Sequence, residues 1–326
     1  MIVLGIESTA HTFGIGIINN KEVLANVKDI YTTTEGGMIP YKVADHHVEV
    51  CDTLLKDALK QAKIKLKDID LISFSQGPGI GHCLRIGAFF ARSLALKLNK
   101  PLIGVNHCIS HLSIGFMKTN AKDPVLLYLS GANTQVIAYE GNKYRIFGET
   151  LDNGIGNFLD AFARFLKLGF PGGPKIEQLA KKSNKLIELP YAVKGMDVSF
   201  GGLLTNLKQK YEKGIPKEDL CYSLQETVFA MMLETAERAL AHCDKTELLL
   251  GGGVACNKRL QEMAIKMCEE RGAKCFILEN EFNVDNAAMI AWQGLLQFKA
   301  KEETKIKNSF ILPYQRTDDV DVTWIN

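Results

Sequence analysis

Residues 125–149 read VLLYLSGANTQVIAYEGNKYRIFGE, a stretch that predicts three short strands joined by tight connections. A small polar loop follows the first strand, and the Glu-Gly-Asn at 140–142 is typical of a hairpin turn. Residues 3–28 follow the same order, with an Asn-Asn turn at 19–20. Because strand, polar loop, strand, turn and strand occur twice, about 120 residues apart, the sequence predicts a duplicated α/β protein.

The repeat predicts two similar lobes, each opening with a three-stranded meander. We expect lobe I to comprise residues 1–122 and lobe II residues 123–299, with the C-terminal residues 300–326 packing back on lobe I. The rest of the chain alternates strands and helices, including a long amphipathic helix over 219–242. The polar loops after the two opening strands are then expected to face each other across a central cleft.

The composition excludes several classes of protein. The chain has 326 residues, of which 46% are hydrophobic and 23% are charged, as is typical of a globular protein. Its net charge of +2 gives no reason to expect strong autonomous binding to nucleic acid. No run of about eighteen apolar residues is present, so we expect no membrane span. The eight cysteines form no CxxC pair, which argues against a zinc knuckle or a disulfide scaffold and favours a reduced, cytoplasmic protein.

His107 and His111 are the first candidates for metal ligands. Two imidazoles four residues apart on a helix share one face and can reach one ion, although two ordinary histidines would fit the same pattern. A zinc peptidase needs HExxH, but Cys108 stands where the glutamate base belongs, so peptidase chemistry is disfavoured. Asp285 and Tyr128 are candidates for the remaining ligands. Asp285 equally suits the N-cap of the last long helix.

Three glycine-rich turns follow predicted strands, at 130–131, 171–174 and 251–253. Glycine lets the backbone approach a ligand closely, and N–H groups at a helix N-terminus favour phosphate, so the set indicates a nucleotide site. Neither GxxxxGK[ST] nor a GxGxxG that opens a βαβ unit is present, which excludes a P-loop and disfavours a dinucleotide site. Asp160 and Glu177 flank the second turn and could bind ribose hydroxyls, or could be ordinary helix residues.

Other polar residues have two interpretations. Asn257 could contact a nucleotide or simply cap a helix. The hydroxyl-rich loop at 7–12 could hold phosphate or only turn the chain. His46 and His47 are adjacent, and neighbouring side chains on a helix point about 100° apart, so we interpret them as structural or as lining the cleft.

Seven segments, taken in order, resemble the TsaD family. They are ESTAHTFG at 7–14, the pair His107 and His111, SGANTQ at 130–135, FPGGP at 170–174, SLQET at 223–227, GGVACN at 252–257 and DNAAM at 285–289. The resemblance extends from residue 2 to about residue 324 and is closest to the archaeal and eukaryotic branch, the catalytic subunit of the KEOPS complex. As an ordered set, these motifs are highly specific.

The resemblance implies the two-lobed α/β fold of actin, hexokinase and DnaK. It implies transfer of a threonylcarbamoyl group from threonylcarbamoyl-AMP to the exocyclic amine of an anticodon-loop adenosine in tRNA. It further implies one divalent metal ion (iron or zinc), an adenine nucleotide (threonylcarbamoyl-AMP or ATP), and as partners tRNA, a small protein-kinase-like subunit and the other KEOPS subunits. By position, the catalytic metal ligands would be His107, His111 and Asp285, with Tyr128 also on the metal. The nucleotide-binding residues would be Tyr128, Leu129, Ser130, Gly131, Ala132, Asp160, Gly173, Glu177 and Asn257.

The sequence departs from the family pattern at three side chains. Asn133, Ala161 and Leu204 stand where many members carry histidine, lysine and lysine, so these three are not assigned as contacts.

Two other functions stay open. One is an ATP hydrolase or small-molecule kinase of the same fold, and the other is a nucleotide-gated scaffold for a kinase partner.

Overall fold

The computed structural model describes residues 1–33 and 38–325. These residues divide into two units. The first comprises residues 1–32, 38–120 and 285–325, and the second comprises residue 33 and residues 121–284. The division after residue 120 lies next to the expected boundary after residue 122.

The described residues form twelve strands and ten α-helices. The strands are β1 (Ile2–Glu7), β2 (Thr12–Asn19), β3 (Glu22–Ile30), β4 (Leu71–Gly77), β5 (Leu102–Asn106), β6 (Val125–Leu129), β7 (Thr134–Glu140), β8 (Lys143–Glu149), β9 (Val193–Lys194), β10 (Asp197–Val198), β11 (Glu247–Gly251) and β12 (Lys274–Ile277). The helices are α1 (Pro40–Ala62), α2 (Gly81–Leu98), α3 (His107–Lys118), α4 (Ile155–Phe165), α5 (Gly173–Ala180), α6 (Gly201–Glu212), α7 (Lys217–His242), α8 (Lys258–Arg271), α9 (Asn280–Asn283) and α10 (Ala287–Lys299). Of these described helices, none combines the length and the apolar character needed to cross a membrane.

The first unit is built on a five-stranded sheet in the order β3-β2-β1-β4-β5. β1 lies at the centre, antiparallel to β2 and parallel to β4, and its residues Val3, Leu4 and Ile6 are buried. A strand that is apolar on both faces is typical of a sheet covered by helices on both sides. Here α1 packs with α2, and α10 packs with α3, on the strands of this sheet.

Helix α10 belongs to the first unit, whereas the sequence pattern assigns it to lobe II. Gly5 and Gly16 explain its position. A Cβ on Gly5 would lie 2.3 Å from the carbonyl oxygen of Ala287, and a Cβ on Gly16 would lie 2.4 Å from its carbonyl carbon. The two glycines therefore let the helix backbone lie directly on β1 and β2. The second unit therefore ends at residue 284 rather than at the expected residue 299, because this contact joins segments that are far apart in the chain.

The second unit has a sheet in the order β8-β7-β6-β11-β12. β6 is the counterpart of β1, because it is buried throughout, antiparallel to β7 and parallel to β11. The long helix α7 packs on this sheet and contributes Leu224, Val228 and Phe229 to the core. The two sheets have the same strand order, which confirms the predicted duplication of an α/β fold.

Helix α6 begins with two glycines, Gly201 and Gly202, which in a sequence are typical of a turn. Asp152 stabilises its N-terminus from a distance. The carboxylate accepts the N–H of Gly201 at 2.6 Å, the N–H of Phe200 at 3.0 Å and the hydroxyl of Ser199 at 2.6 Å. Burial raises the pKa of Asp152, but these hydrogen bonds outweigh it and lower the pKa to about 2. Because this capping residue lies 49 residues earlier in the chain, the sequence next to α6 does not indicate where the helix begins.

Candidate functional site

His107 and His111 lie on the first two turns of α3. Asn106 caps this helix, because its side-chain oxygen accepts the N–H of Ile109 at 3.1 Å. Both imidazoles are buried, and the rings lie edge to face with their centroids 4.8 Å apart. The helical spacing thus places both rings on one face, as the sequence predicts.

Asp285 precedes α10 and completes the group. Its Oδ1 lies 3.4 Å from the Nε2 of His107 and 3.4 Å from the Nε2 of His111. The helix-capping role that the sequence allows for Asp285 belongs to Asn286, whose side chain accepts an N–H of the first turn at 3.1 Å. The Lys28 ammonium donates to the carbonyl oxygen of Asp285 at 3.2 Å and fixes this segment on β3.

The side chains of this group perturb one another's protonation. Burial lowers the pKa of His107, but the nearby Glu7 and Asp285 outweigh burial and raise it well above its ordinary value. For His111, burial prevails and lowers the pKa. Burial raises the pKa of Asp285, yet hydrogen bonds and charge from the two histidines lower it well below its ordinary value. Asp285 is therefore a carboxylate and an oxygen donor for a cation.

The donor set fits a divalent transition metal. One ligand atom from each of His107, His111 and Asp285 lies within 4.8 Å of the others. Two imidazole nitrogens and one carboxylate oxygen suit zinc or iron. Cys108, which occupies the place of a peptidase glutamate, is buried, and burial raises the pKa of its thiol. The site therefore has the ligands of a metal centre without the base of a zinc peptidase.

Glu7 is a member of this site that the motif analysis does not reveal. It ends β1, it is fully buried, and its Oε2 lies 2.9 Å from the Nδ1 of His107. The interpretation of residues 7–12 as a phosphate loop or a simple turn does not include this contact. A glutamate at the end of a wholly apolar strand is the sequence signal that points to it, since charged residues are rarely buried without a partner.

The predicted nucleotide-binding residues lie in the second unit, at one edge of its sheet. β6 and β11 are parallel neighbours, so the loops that follow them leave the sheet at the same edge. Gly252, with φ of +90°, packs on the end of β6, where a Cβ would lie 2.4 Å from the carbonyl oxygen of Leu129. Leu129 is buried, whereas Gly131 and Ala132 are exposed. The edge therefore presents an exposed backbone loop.

Ser130 closes this loop. Its N–H and its hydroxyl donate to the carbonyl oxygen of Asn133 at 2.8 and 3.0 Å. The carbonyl oxygens of Ser130 and Gly131 accept the N–H groups of Gly156 and Asn157 at 3.0 and 2.9 Å, which ties the loop to the start of α4. A Cβ on Gly131 would meet its first atom only at 3.4 Å, so one side of the loop is open.

Asp160 shapes the turn that precedes α5. Its Oδ1 accepts the N–H of Gly172 at 2.6 Å. A Cβ on Gly172 would lie 2.5 Å from the Cβ of Ala163, whereas a Cβ on Gly173 would meet nothing closer than 3.9 Å. Gly172 is thus required by packing, and the space beside Gly173 can admit a ligand.

Glu177 and Asn257 lie next to one another. Glu177 accepts the N–H of Lys258 at 3.3 Å and pairs with Lys181 at 3.0 Å. Asn257 is the N-cap of α8, with Oδ1 accepting two N–H groups at 2.9 and 3.2 Å, and its Nδ2 donates to Gln225 at 2.7 Å. The capping alternative for Asn257 is confirmed, and its contact with a ribose stays a prediction.

Tyr128 differs from these residues because it is almost fully buried. Tyr128 lies on β6 of the second unit with 1% of its surface accessible, and its roles as a metal ligand and as an adenylate contact stay predictions. Asn133, Ala161 and Leu204, where the sequence departs from the family motifs, are half-buried.

The sequence is similar to those of known proteins over nearly its whole length. The family model described as TsaD, tRNA N6-adenosine threonylcarbamoyltransferase, matches residues 21–292. A tRNA N6-adenosine threonylcarbamoyltransferase of Thermococcus sibiricus is 54% identical over 325 residues, which are 99% of this chain and 100% of that relative. A probable bifunctional tRNA threonylcarbamoyladenosine biosynthesis protein of Methanocaldococcus jannaschii is 52% identical over 326 residues, covering 100% of this chain but 61% of that relative.

The solved structures agree in fold. The crystal structure of T. kodakarensis HypF matches 92% of this chain with a TM-score of 0.64 and 16% identity, and this chain spans 48% of the HypF chain. At that identity the likeness concerns the fold alone, and with the duplicated sheets it supports the expected fold of the actin, hexokinase and DnaK type. The family model covers most of the sequence, and the relative at 54% identity covers nearly all of it. The chain therefore belongs to the TsaD family of tRNA N6-adenosine threonylcarbamoyltransferases.

Proposed function

We propose that this chain transfers a threonylcarbamoyl group from threonylcarbamoyl-AMP to the exocyclic amine of an anticodon-loop adenosine in tRNA. The observation that carries the proposal is the end-to-end identity of 54% to a relative named for that transfer. The group formed by the buried His107 and His111 with the half-buried Asp285, and the open glycine edge of the second unit, support it with suitable chemistry.

His107, His111 and Asp285 would hold one divalent ion, iron or zinc. A metal ion bound there would supply a Lewis acid for the acyl oxygen of the threonylcarbamoyl group. The protein keeps the three donor atoms at a fixed spacing. Helix α3 holds the two histidines, and the hydrogen bond from Lys28 holds the backbone of Asp285. Because the ligands are already in place, their conformational entropy need not be lost during the reaction.

The transfer step breaks one bond and forms another. The adenosine nitrogen bonds to the carbamoyl carbon, the bond from that carbon to the phosphate oxygen breaks, and AMP leaves with the electron pair. The amine loses one proton. We assign that proton to the substrate phosphate or to water, because burial raises the pKa of the Cys108 thiol beside the histidines and disfavours it as a base.

The second unit would hold the AMP part of the donor. Its loop at residues 130–132, in which Gly131 and Ala132 are exposed, would offer backbone groups to the adenylate, next to the buried Tyr128 and Leu129. Glu177 would accept hydrogen bonds from ribose hydroxyls, with Asn257 beside it. Asp160 would act by holding the turn that leaves space at Gly173.

The test is a transfer assay with threonylcarbamoyl-AMP, tRNA and the partner subunits. Mass spectrometry of digested tRNA would measure threonylcarbamoyladenosine for wild type, His111→Ala and the control His82→Ala, whose histidine is exposed on α2. We expect product from wild type and His82→Ala, and a loss of about 100-fold or more for His111→Ala. No product from a folded, assembled wild type would contradict the proposal. Steady ATP turnover without tRNA would then favour the kinase or hydrolase alternative, and assembly without any turnover would favour the scaffold.

We also propose that the chain works with the subunits of a KEOPS-type complex, including a small protein-kinase-like subunit. The bifunctional relative is longer than the region it shares with this chain, which supports a functional partner domain. The net charge of +2 favours tRNA held mainly by the partners or by a local patch. Tight, salt-sensitive tRNA binding by the isolated chain would contradict this assignment.

A cytoplasmic location is part of the same proposal. In the part of the chain that the structure describes, none of the eight cysteines forms a disulfide bond, as expected of a protein that works in a reducing compartment. Fractionation of the native cell should recover the chain together with tRNA-modifying activity, and recovery in an oxidising compartment would contradict it.

A further inference from the structure

Glu7 is a fully buried carboxylate beside a metal-ligand histidine. It is the last residue of β1, and none of its surface is accessible. Burying a charged side chain is costly unless hydrogen bonds or opposite charges offset the loss of water. Because β1 is otherwise apolar, packing alone does not account for a glutamate at this position.

Both oxygens of the carboxylate are engaged. Oε1 accepts the N–H of Thr9 at 2.7 Å and the hydroxyl of Thr9. Oε2 lies 2.9 Å from the Nδ1 of His107, and the Thr9 hydroxyl oxygen lies 3.4 Å from the same nitrogen. Thr9 therefore fixes one oxygen and leaves the other facing the imidazole.

This arrangement determines which nitrogen of His107 can bind a cation. An ionised carboxylate only accepts hydrogen bonds, so the Nδ1 of His107 must donate. The lone pair of the neutral ring then lies on Nε2, which is the atom 3.4 Å from the Oδ1 of Asp285. The contact thus directs the ligand atom of His107 towards the other members of the group.

We infer that Glu7, held by Thr9, is a positioning residue that orients His107 as a metal ligand. A carboxylate behind a ligating histidine fixes the ring and increases its basicity as a ligand. Together with Asp285, Glu7 would also add negative charge near a divalent cation held by the histidines. The inference rests on the proposed metal centre and names a residue outside its ligand set.

The test is a titration of the full chain with Co²⁺ after removal of metals by a chelator. The variants are Glu7→Gln, which keeps the shape but removes the charge, and Thr9→Val, which removes the hydroxyl. Glu22→Gln is the matched control, since Glu22 is exposed on β3 of the same unit. Affinity would come from competition with a chelator of known strength, and ligand geometry from the visible absorption bands of bound Co²⁺.

Glu7→Gln should weaken Co²⁺ binding about 10- to 100-fold and change the absorption bands, as loss of an outer-shell partner does. Thr9→Val should change both in the same direction but less, and Glu22→Gln should match wild type. Thermal unfolding of the metal-free proteins would show which variants fold. A folded Glu7→Gln with wild-type affinity and spectrum overturns the inference.

The remaining outcomes are equally decisive. If Glu7→Gln does not fold, Thr9→Val decides, and an unchanged affinity and spectrum in that variant overturns the inference. If wild type itself binds no Co²⁺, the metal part of the proposed function fails and the role of Glu7 fails with it. If wild type binds and the variants bind equally well, only the role of Glu7 fails.

Discussion

The two units share a strand order but differ in the loop that follows the central strand. In the first unit, β1 runs into Glu7 and Thr9, and the loop carries a buried carboxylate that reaches His107. In the second unit, β6 runs into Ser130 and Gly131, and the loop is exposed and formed largely from backbone groups. The same strand order therefore supports a group of candidate metal ligands in one unit and an open glycine edge in the other.

The difference extends to the neighbouring strands. β5 of the first unit leads directly into α3, which presents two histidines. β11 of the second unit leads into Gly252 and then into the N-cap Asn257. The two units thus share a strand order and differ in the short segments at the strand ends, in agreement with the rule that function lies in sites grafted on folds.

The largest expected effect is on activity and comes from the first unit. Asp285→Asn removes the ligand charge while keeping the side-chain shape, so threonylcarbamoyl transfer should fall by about 100-fold or more. Asp57→Asn, at an exposed position of α1, is the matched control and should transfer at the wild-type rate. Equal transfer rates for the two variants in the tRNA assay would contradict a role of the metal-ligand group in the reaction.

The next effect is on stability and belongs to the second unit. Gly252→Ala introduces a Cβ 2.4 Å from a backbone oxygen at φ of +90°, which should lower the free energy of unfolding by about 2–4 kcal/mol. Gly253→Ala is its matched control, because its Cβ would meet nothing closer than 4.0 Å. Urea denaturation measures both, and similar midpoints for the two variants would contradict the close approach of Gly252 to the end of β6.

The first unit should also be sensitive to acid. His47 packs on Phe13 with ring centroids 5.3 Å apart and contacts the carbonyl oxygen of Ala10 at 3.0 Å. Burial lowers the pKa of His47 from 6.5 to about 4. Between these values only the unfolded chain takes up the proton, so the free energy of unfolding should fall as pH drops from 6.5 to 4, by on the order of 3 kcal/mol, with no contribution above 6.5.

His47→Gln should remove that part of the pH dependence, and His82→Gln, at an exposed position, should keep it. Chemical denaturation at several pH values between 4 and 7.5 measures the difference between the variants and wild type. The prediction is wrong if His47→Gln and wild type lose stability in parallel on acidification.

The smallest effect separates two roles of Asn257. Asn257→Asp keeps the oxygen that caps α8 but loses the hydrogen bond from Nδ2 to Gln225, so the free energy of unfolding should fall by about 1 kcal/mol. Asn257→Ala loses both interactions and should cost about 2 kcal/mol. If Asn257 also contacts the ribose, both variants should raise the KM for threonylcarbamoyl-AMP several-fold, because both lack the amide donor. Unchanged KM values in both would leave Asn257 as a helix cap only.

The sequence predicts the local features of this molecule well. The repeated strand pattern yields the duplicated sheets, and the spacing of His107 and His111 places both rings on one face of α3. These predictions succeed because periodicity and spacing are local properties of helices and strands. The family resemblance adds Asp285, which spacing alone could not bring to the histidines.

The sequence pattern does not reveal the contacts between segments that are far apart in the chain. α10 packs on β1 and β2 through Gly5 and Gly16, and α6 is capped by Asp152. Glu7 reaches His107 across 100 residues. Each depends on backbone proximity that arises only once the sheets have formed, so none has a local signature.

The most direct test of the account relates transfer to metal content. Chelated full-length protein, assembled with its partner subunits, would be loaded with increasing Fe²⁺ or Zn²⁺, and the single-turnover rate of threonylcarbamoyl transfer to tRNA would be measured at each occupancy. The account predicts a rate that rises in proportion to bound metal and saturates at about one ion per chain, with His107→Ala showing no such rise. A metal-free protein that transfers at the full rate would contradict it.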